Sequence, residues 1–153
     1  MRKITVLAGA LLVLGMCAVA GAEAIKMGTT FSARQCGYLG QDWQKQYLEI
    51  LDEGLEVISL GAYWSEIEEE KDKYDFSSLD WQLEQASKKG IPVVLTVGMK
   101  APRWPEYYIP EWVIEKAQPK YGENLADNGY LTKRTLKFIE KTVNRYKAEK
   151  IIR

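Results

Sequence analysis

The 153-residue sequence contains no histidine. That absence removes the Ser-His-Asp and Cys-His arrangements of nucleophilic catalysis, and with them the commonest transition-metal side-chain ligand. There is no G-x-S-x-G elbow, P-loop or G-x-G-x-x-G turn, so esterase, nucleotide and dinucleotide readings have no support. Net charge is missing too. The 21 Lys and Arg balance 21 Asp and Glu, leaving no field to draw the chain to nucleic acid or to an anionic membrane surface. Cysteine is limited to Cys17 and Cys36, too few for a disulfide framework. The chemistry that remains is that of carboxylates, aromatic rings and a few basic groups, and it calls for neither a metal nor a cofactor.

One long uncharged run is present, from Ile4 to Ala22 behind Met1-Arg2-Lys3. Small residues follow at Ala18-Val19-Ala20 and Ala22-Glu23-Ala24. A basic start, an apolar stretch and A-x-A sites define a secretory signal peptide. The run barely reaches the length of a membrane span, and its Gly and Ala content favours cleavage over anchoring. Leu14-Gly15-Met16-Cys17 approaches a lipoprotein signal, but Met is a poor residue before the modified Cys. Residues 1–24 are therefore expected to be removed. The mature chain is expected to be secreted or periplasmic, with no membrane attachment and with Cys36 as a small buried apolar residue.

Residues 25–153 are about half of the roughly 250 that a complete (β/α)8 barrel needs. Three segments there alternate between strand-like and helix-like patterns, the rhythm of βαβ units. Ile25 to Phe31 leads through a Gly-containing turn to Asp42, a helix cap, then to Trp43, Tyr47, Ile50, Leu51 and Leu55 at helical spacing. Val57 to Leu60, running on to Trp64, precedes an acidic stretch. A helix capped by Ser77 or Ser78 follows and ends at Lys88-Lys89-Gly90. Ile91 to Val97 is apolar throughout, as in a parallel strand buried on both faces. The segment from Gly98 to Asn128 holds four of the five prolines and many aromatics, a length and composition expected of a functional or a disordered connection. Tyr130 to Lys147 is again helical, and Ile151-Ile152-Arg153 reads as the opening of a fourth strand. The expected fold is α/β, a partial (β/α)8 barrel of the first three to four βα units.

The reactive face of such a barrel lies at the C-terminal ends of its strands. Here those ends fall near Ser32 to Arg34, at Tyr63-Trp64, and over Gly98 to Trp104. Aromatic rings offer flat faces to the C–H face of a sugar, and Arg and Lys donate to hydroxyls, so the mixture suits a carbohydrate groove. Trp64, Lys100, Arg103 and Trp104 are the candidate substrate contacts; the plainer reading makes Trp64 and Trp104 caps on the barrel core. Glu66, Glu68, Glu69, Glu70 and Asp72 read as a solvated charged segment. Glycoside hydrolysis needs two carboxyl groups facing each other about 5 to 9.5 Å apart, which consecutive loop residues do not supply. No residue is assigned a catalytic role.

Trp64-Ser65-Glu66-Ile67-Glu68 with Tyr74-Asp75-Phe76 and Leu79-Asp80 is similar to the W-x-x-x-E-P, Y-D-F, L-D pattern of glycoside hydrolase family 42 β-galactosidases and related clan A barrels. Glu69 stands where Pro is usual. Gly90 to Leu95, Ala101-Pro102-Arg103-Trp104 and Pro110-Glu111-Trp112 resemble that family's third strand and its A-P-x-W and P-E segments. The resemblance covers about Met27 to Trp112. It implies a retaining glycosidase of β-galactosidase or cellulase type, acting on an oligo- or polysaccharide; its expected secretion comes from the signal peptide alone. Its acid/base would be the Glu of an Asn-Glu pair after the fourth strand, and its nucleophile a Glu after the seventh. The sequence is expected to stop inside the fourth strand, so neither glutamate is carried over. Ser59 and Gly61 or Ala62 stand where the family has an Arg and a Glu. A rival expectation is a non-catalytic secreted carbohydrate-binding or interaction protein, completed by self-association through the open sheet edge. A third is a truncated product with no stable fold.

Overall fold

A computed structural model describes residues 26–100 and 106–153. The expected signal peptide, and Arg103 and Trp104, lie outside the described residues. The elements run β1 (Gly28–Thr30), α1 (Ala33–Tyr38), α2 (Trp43–Leu51), β2 (Val57–Tyr63), α3 (Trp64–Ile67), α4 (Ser77–Lys89), β3 (Val93–Gly98), α5 (Glu111–Ala117) and α6 (Gly129–Tyr146), with a 3-10 turn at Leu125–Asp127.

The strands form one parallel sheet in the order β1-β2-β3. Gly28 pairs with Val57, and Ile58 with Val93. Gly28 is required by close approach, because a Cβ there would meet Val57 Cγ1 at 2.4 Å. Ile152 forms a parallel bridge to Val93. The Val93 amide donates to the Ile151 carbonyl at 2.8 Å, and the Arg153 amide donates to the Val93 carbonyl at 2.9 Å. The expected fourth strand thus takes its place beside β3.

Alternation decides which face of the sheet is covered. Ile58, Leu60 and Ala62 are almost fully buried and share one cluster with Tyr47 and Leu51 of α2, Leu79, Leu83 and Ala86 of α4, and Leu131 and Phe138 of α6. On the opposite face Val57 and Ser59 are only half-buried, and Val94 is 43% exposed. The expectation that the third strand is buried on both sides is therefore corrected. Helices α2, α4 and α6 share the core with one face of the sheet, and Val94, on the other, remains in contact with solvent.

Helix starts follow local chemistry. Asp42 accepts from the amides of Gln44 (2.9 Å) and Lys45 (3.2 Å), and Asn128 from that of Leu131 (3.1 Å). The start of α4 differs from the Ser77 or Ser78 cap expected. Ser77 is already helical, Phe76 occupies the cap position without a side-chain bond, and Asp75 reaches over it to accept from the Ser77 amide at 2.8 Å. That bond holds the Asp75 carboxyl below the ordinary carboxylate range. At the other end Gly90 closes α4 in the left-handed conformation, φ 68°. The turn after β1 also does more than the sequence implied. Ser32 accepts from the Gln35 amide and starts α1, which carries Arg34 and buries Cys36.

Candidate functional site

Parallel pairing in register brings the C-terminal ends of the three strands to one edge. Ser32 and Arg34 follow β1, Tyr63 ends β2, and Lys100 follows β3. The Tyr63 hydroxyl donates to Ser32 Oγ at 2.9 Å, which ties the first two strand ends together. The Tyr108 ring lies 4.6 Å from that of Tyr63, and the Ser65 amide donates to the Tyr108 carbonyl at 3.1 Å, so the segment after the third strand folds back over the second. Tyr108 is buried. Burial and its bond to Glu106 raise its hydroxyl pKa above the ordinary tyrosine value.

Arg34 is the basic centre of this edge. Its Nη1 donates to Glu66 Oε1 at 3.1 Å, its Nε donates to the Tyr38 hydroxyl at 2.9 Å, and its guanidinium lies 5.3 Å from the Tyr108 ring centroid. Burial pushes the Glu66 carboxyl above its ordinary pKa, and Arg34 acts in the opposite direction. An open cleft of about 600 Å³ adjoins the pair, lined in part by Tyr38, Glu106, Tyr107 and Tyr108. Among the described residues no group of three or more Cys, Asp and Glu is arranged to hold a metal ion.

The four candidate contacts fall in different places. Lys100 is exposed at the strand-end edge, its Nζ 4.7 Å from the Tyr107 ring centroid. Trp64 is fully buried. Its ring stacks on Phe138 at 5.5 Å, and its Nε1 donates to Glu68 Oε2 at 2.7 Å. Both rings are core groups here, and Trp64 turns no face to solvent. The structure thus joins Lys100 to the edge, places Trp64 beneath it, and leaves Arg103 and Trp104 outside the described residues.

Glu68 corrects the reading of the acidic stretch. Glu69, Glu70 and Asp72 are exposed, but Glu68 is completely buried. It accepts from Trp64, from the Asp72 amide at 3.0 Å, and from Arg134 of α6. Arg134 also bonds Asp72 at 3.0 Å and stands 4.7 Å from the Trp112 ring centroid, while Trp112 Nε1 donates to the Glu68 carbonyl at 3.0 Å. Its partner lies 66 positions away, so the sequence carries no local sign of this burial beyond the Trp64–Glu68 helical spacing. The Arg34–Glu66 pair leaves no mark in the sequence for the same reason, its members being 32 positions apart.

The sequence model of the glycoside hydrolase 42 β-galactosidase family matches residues 38–152. The chain belongs to this family. The partial barrel is likewise similar to solved structures. The β-galactosidase of the Antarctic haloarchaeon Halorubrum lacusprofundi aligns at a TM-score of 0.61 and 17% identity, over 84% of this chain and 20% of that one. The cold-adapted β-galactosidase of Rahnella sp. R3 aligns at 0.61 and 18%, over 85% and 21%. An exo-β-1,4-mannosidase from Opitutaceae bacterium strain TAV5 aligns at 0.59 and 17%, over 87% and 24%. The chain thus spans between a fifth and a quarter of the length of these neighbours, and at these identities they show the fold alone. No curated protein matches the sequence. Within this glycoside hydrolase 42 chain, the motif residues Glu68, Asp75 and Asp80 are architectural. Glu68 anchors Arg134, Asp75 starts α4, and Asp80 accepts from Arg145 Nε at 3.1 Å and from the Tyr146 hydroxyl at 2.7 Å.

Proposed function

We propose that this chain supplies the first βα units of a secreted or periplasmic barrel glycosidase that hydrolyses β-linked galactosides or related β-glycosides. The observation that carries the proposal is the family match across residues 38–152 on a parallel sheet whose strand ends gather Arg34, Glu66, Tyr108 and Lys100 at one edge. Hydrolysis in the assembled barrel would be acid/base-assisted displacement at an anomeric carbon by two carboxyl groups, with no cofactor. Within residues 26–153 the roles proposed are binding ones. Lys100 donates to sugar hydroxyls, joined by Arg103 and Trp104 from the segment after β3. Export is supported by the basic start, the uncharged run Ile4 to Ala22 and the A-x-A sites.

A second reading is favoured by the open sheet face. Val94 is 43% exposed, and β3 beyond Val93 presents an edge next to the Ile152 bridge. Such edges promote association, so a second copy or a partner chain would complete a carbohydrate-binding barrel. Light scattering on residues 25–153, combined with an aryl β-glycoside panel, tests both readings. The expected result is no turnover by the isolated chain and turnover once the remaining βα units are joined in one polypeptide. Turnover by the isolated chain as a dimer would reject the first reading in favour of assembly in trans.

A further inference from the structure

Trp112 of α5 stands between the buried ion pair and the segment that follows β3. Its Nε1 donates to the Glu68 carbonyl at 3.0 Å, and the Arg134 guanidinium lies 4.7 Å from its ring centroid. Arg134 in turn donates to the Glu68 carboxylate. Each of these three residues therefore touches the other two, and they come from three separate segments: the loop after β2, α5 and α6. Moving any one segment breaks two contacts at once, and with Glu68 wholly buried and Arg134 at 7% exposure no water stands ready to replace them. Asp72 shows that the anchor holds against strain. Its φ is 64°, in the left-handed region, yet its amide donates to Glu68 and its carboxylate accepts from Arg134, both at 3.0 Å. Such a conformation persists only where the surroundings over-determine it.

The backbone carries this anchor toward the strand ends. Pro110, fully buried at φ −56°, starts α5 and leaves little freedom between Trp112 and Tyr108. The Tyr108 amide donates to the Met99 carbonyl at 2.9 Å, and the Tyr108 carbonyl accepts from the Ser65 amide at 3.1 Å. Beside it Tyr107 forms an antiparallel bridge with Lys100, whose Nζ lies 4.7 Å from the Tyr107 ring centroid. We propose that Trp112 is a positioning residue, which locks the segment 106–118 onto the Glu68–Arg134 pair and thereby sets where Tyr107 holds Lys100 at the strand-end edge. The use of Lys100 as a sugar contact belongs to the glycosidase reading; the coupling of Trp112 to Lys100 stands apart from it.

Amide hydrogen exchange and proton NMR on the full chain test the coupling. In Trp112→Ala the Ser65 and Tyr108 amides should exchange about thirty-fold faster, well ahead of the Ile58 amide, which donates to the Pro92 carbonyl at 3.0 Å within the sheet. The Lys100 side-chain protons, shifted upfield by the Tyr107 ring, should move toward the values of a free lysine. Trp112→Phe keeps a ring over Arg134 and loses only the bond to the Glu68 carbonyl. It should speed the same two amides by about five-fold and keep most of the Lys100 shift, and it carries the test should Trp112→Ala unfold. Gly90→Ala, which strains only the end of α4, should leave the Ser65 and Tyr108 rates and the Lys100 shift at their wild-type values. Equal acceleration of all three amides in the Trp112 variants would make the residue a general packing group and overturn the proposal. Unchanged Ser65 and Tyr108 rates, or a Lys100 shift that stays in place in Trp112→Ala, would overturn it as well. An inactive assembled barrel in the aryl-glycoside assay would instead strike the glycosidase reading and leave the coupling intact.

Discussion

Glu68 has no solvent to share its charge, so its neighbours must do so. Arg134, the Trp64 indole and the Asp72 amide together satisfy both carboxylate oxygens. Removing one partner of a buried pair strands the other, at a cost of about 3 to 5 kcal/mol, whereas replacing both with apolar groups of similar volume is often neutral or better. Glu68→Ala should therefore lower stability by about that amount in urea unfolding, while Glu68→Leu with Arg134→Met should recover most of the loss. A double variant as unstable as Glu68→Ala would show that the charges themselves are needed. The neighbouring Tyr74 hydroxyl feels the same surroundings; burial, reinforced by Glu68, pushes its pKa up to about 12. Glu68, Asp75 and Asp80 of the family pattern hold the loop after β2 and helix α4 in place, whereas Glu66, Pro110 and Glu111 of the same pattern line the open cleft.

Helix α4 is bounded by two single residues. Gly90 at φ 68° ends it, and an alanine there pays the left-handed penalty of roughly 1 to 2 kcal/mol. Gly90→Ala should lower the unfolding free energy by that amount, whereas an open space around the Cβ position means no steric clash adds to it. At the N-terminal end, Asp75 is held below its ordinary pKa by the Ser77 amide, and Asp72 by Lys137 and then Arg134. Because the folded values lie below the unfolded ones, the unfolded chain binds more protons in acid. The contribution of both groups is therefore complete above the unfolded value near pH 4 and is lost as pH falls through the folded values. Urea midpoints should drop below about pH 4, and Asp72→Asn should flatten part of that fall. An unchanged slope in the variant would remove Asp72 from the account. On α6, Leu136 and Val143 are 60% and 50% exposed although the helix buries Leu131, Phe138 and Tyr146. The helix therefore carries a second apolar stripe beside its core face, of the kind that further helices or strands cover.

For the whole molecule, the decisive feature is a three-stranded parallel sheet whose second face, among the described residues, is covered at Tyr63 by Tyr108 but leaves Val94 exposed. A parallel sheet is ordinarily buried on both faces, and Val94, the Ile152 bridge and the stripe on α6 are together the places where more of the barrel would pack. Joining the next βα unit to the chain should therefore raise its thermal midpoint and protect the Leu95 and Val97 amides from hydrogen exchange. Unchanged exchange at those amides would mean that the next strand does not pair with β3.

The sequence alone determined the succession β1, α2, β2, α4, β3 and α6, because each depends on neighbours: the apolar runs of β2 and β3, the caps Asp42 and Gly90, and the 3.6-residue spacing of α2 and α6; the short helices α1, α3 and α5 carry no such signal. It also determined the family, through the ordered Trp64 to Asp80 and Gly90 to Trp112 segments. Tertiary structure decided the site. Whether a glutamate of the acidic stretch is solvated, as Glu69 is, or buried, as Glu68 is, depends on Arg134, 66 residues away. Whether Trp64 faces a ligand depends on Phe138 lying beneath it. Pairing over such distances leaves no periodic signature, since the contact belongs to the packing of α6 against the loop after β2 and not to either segment by itself.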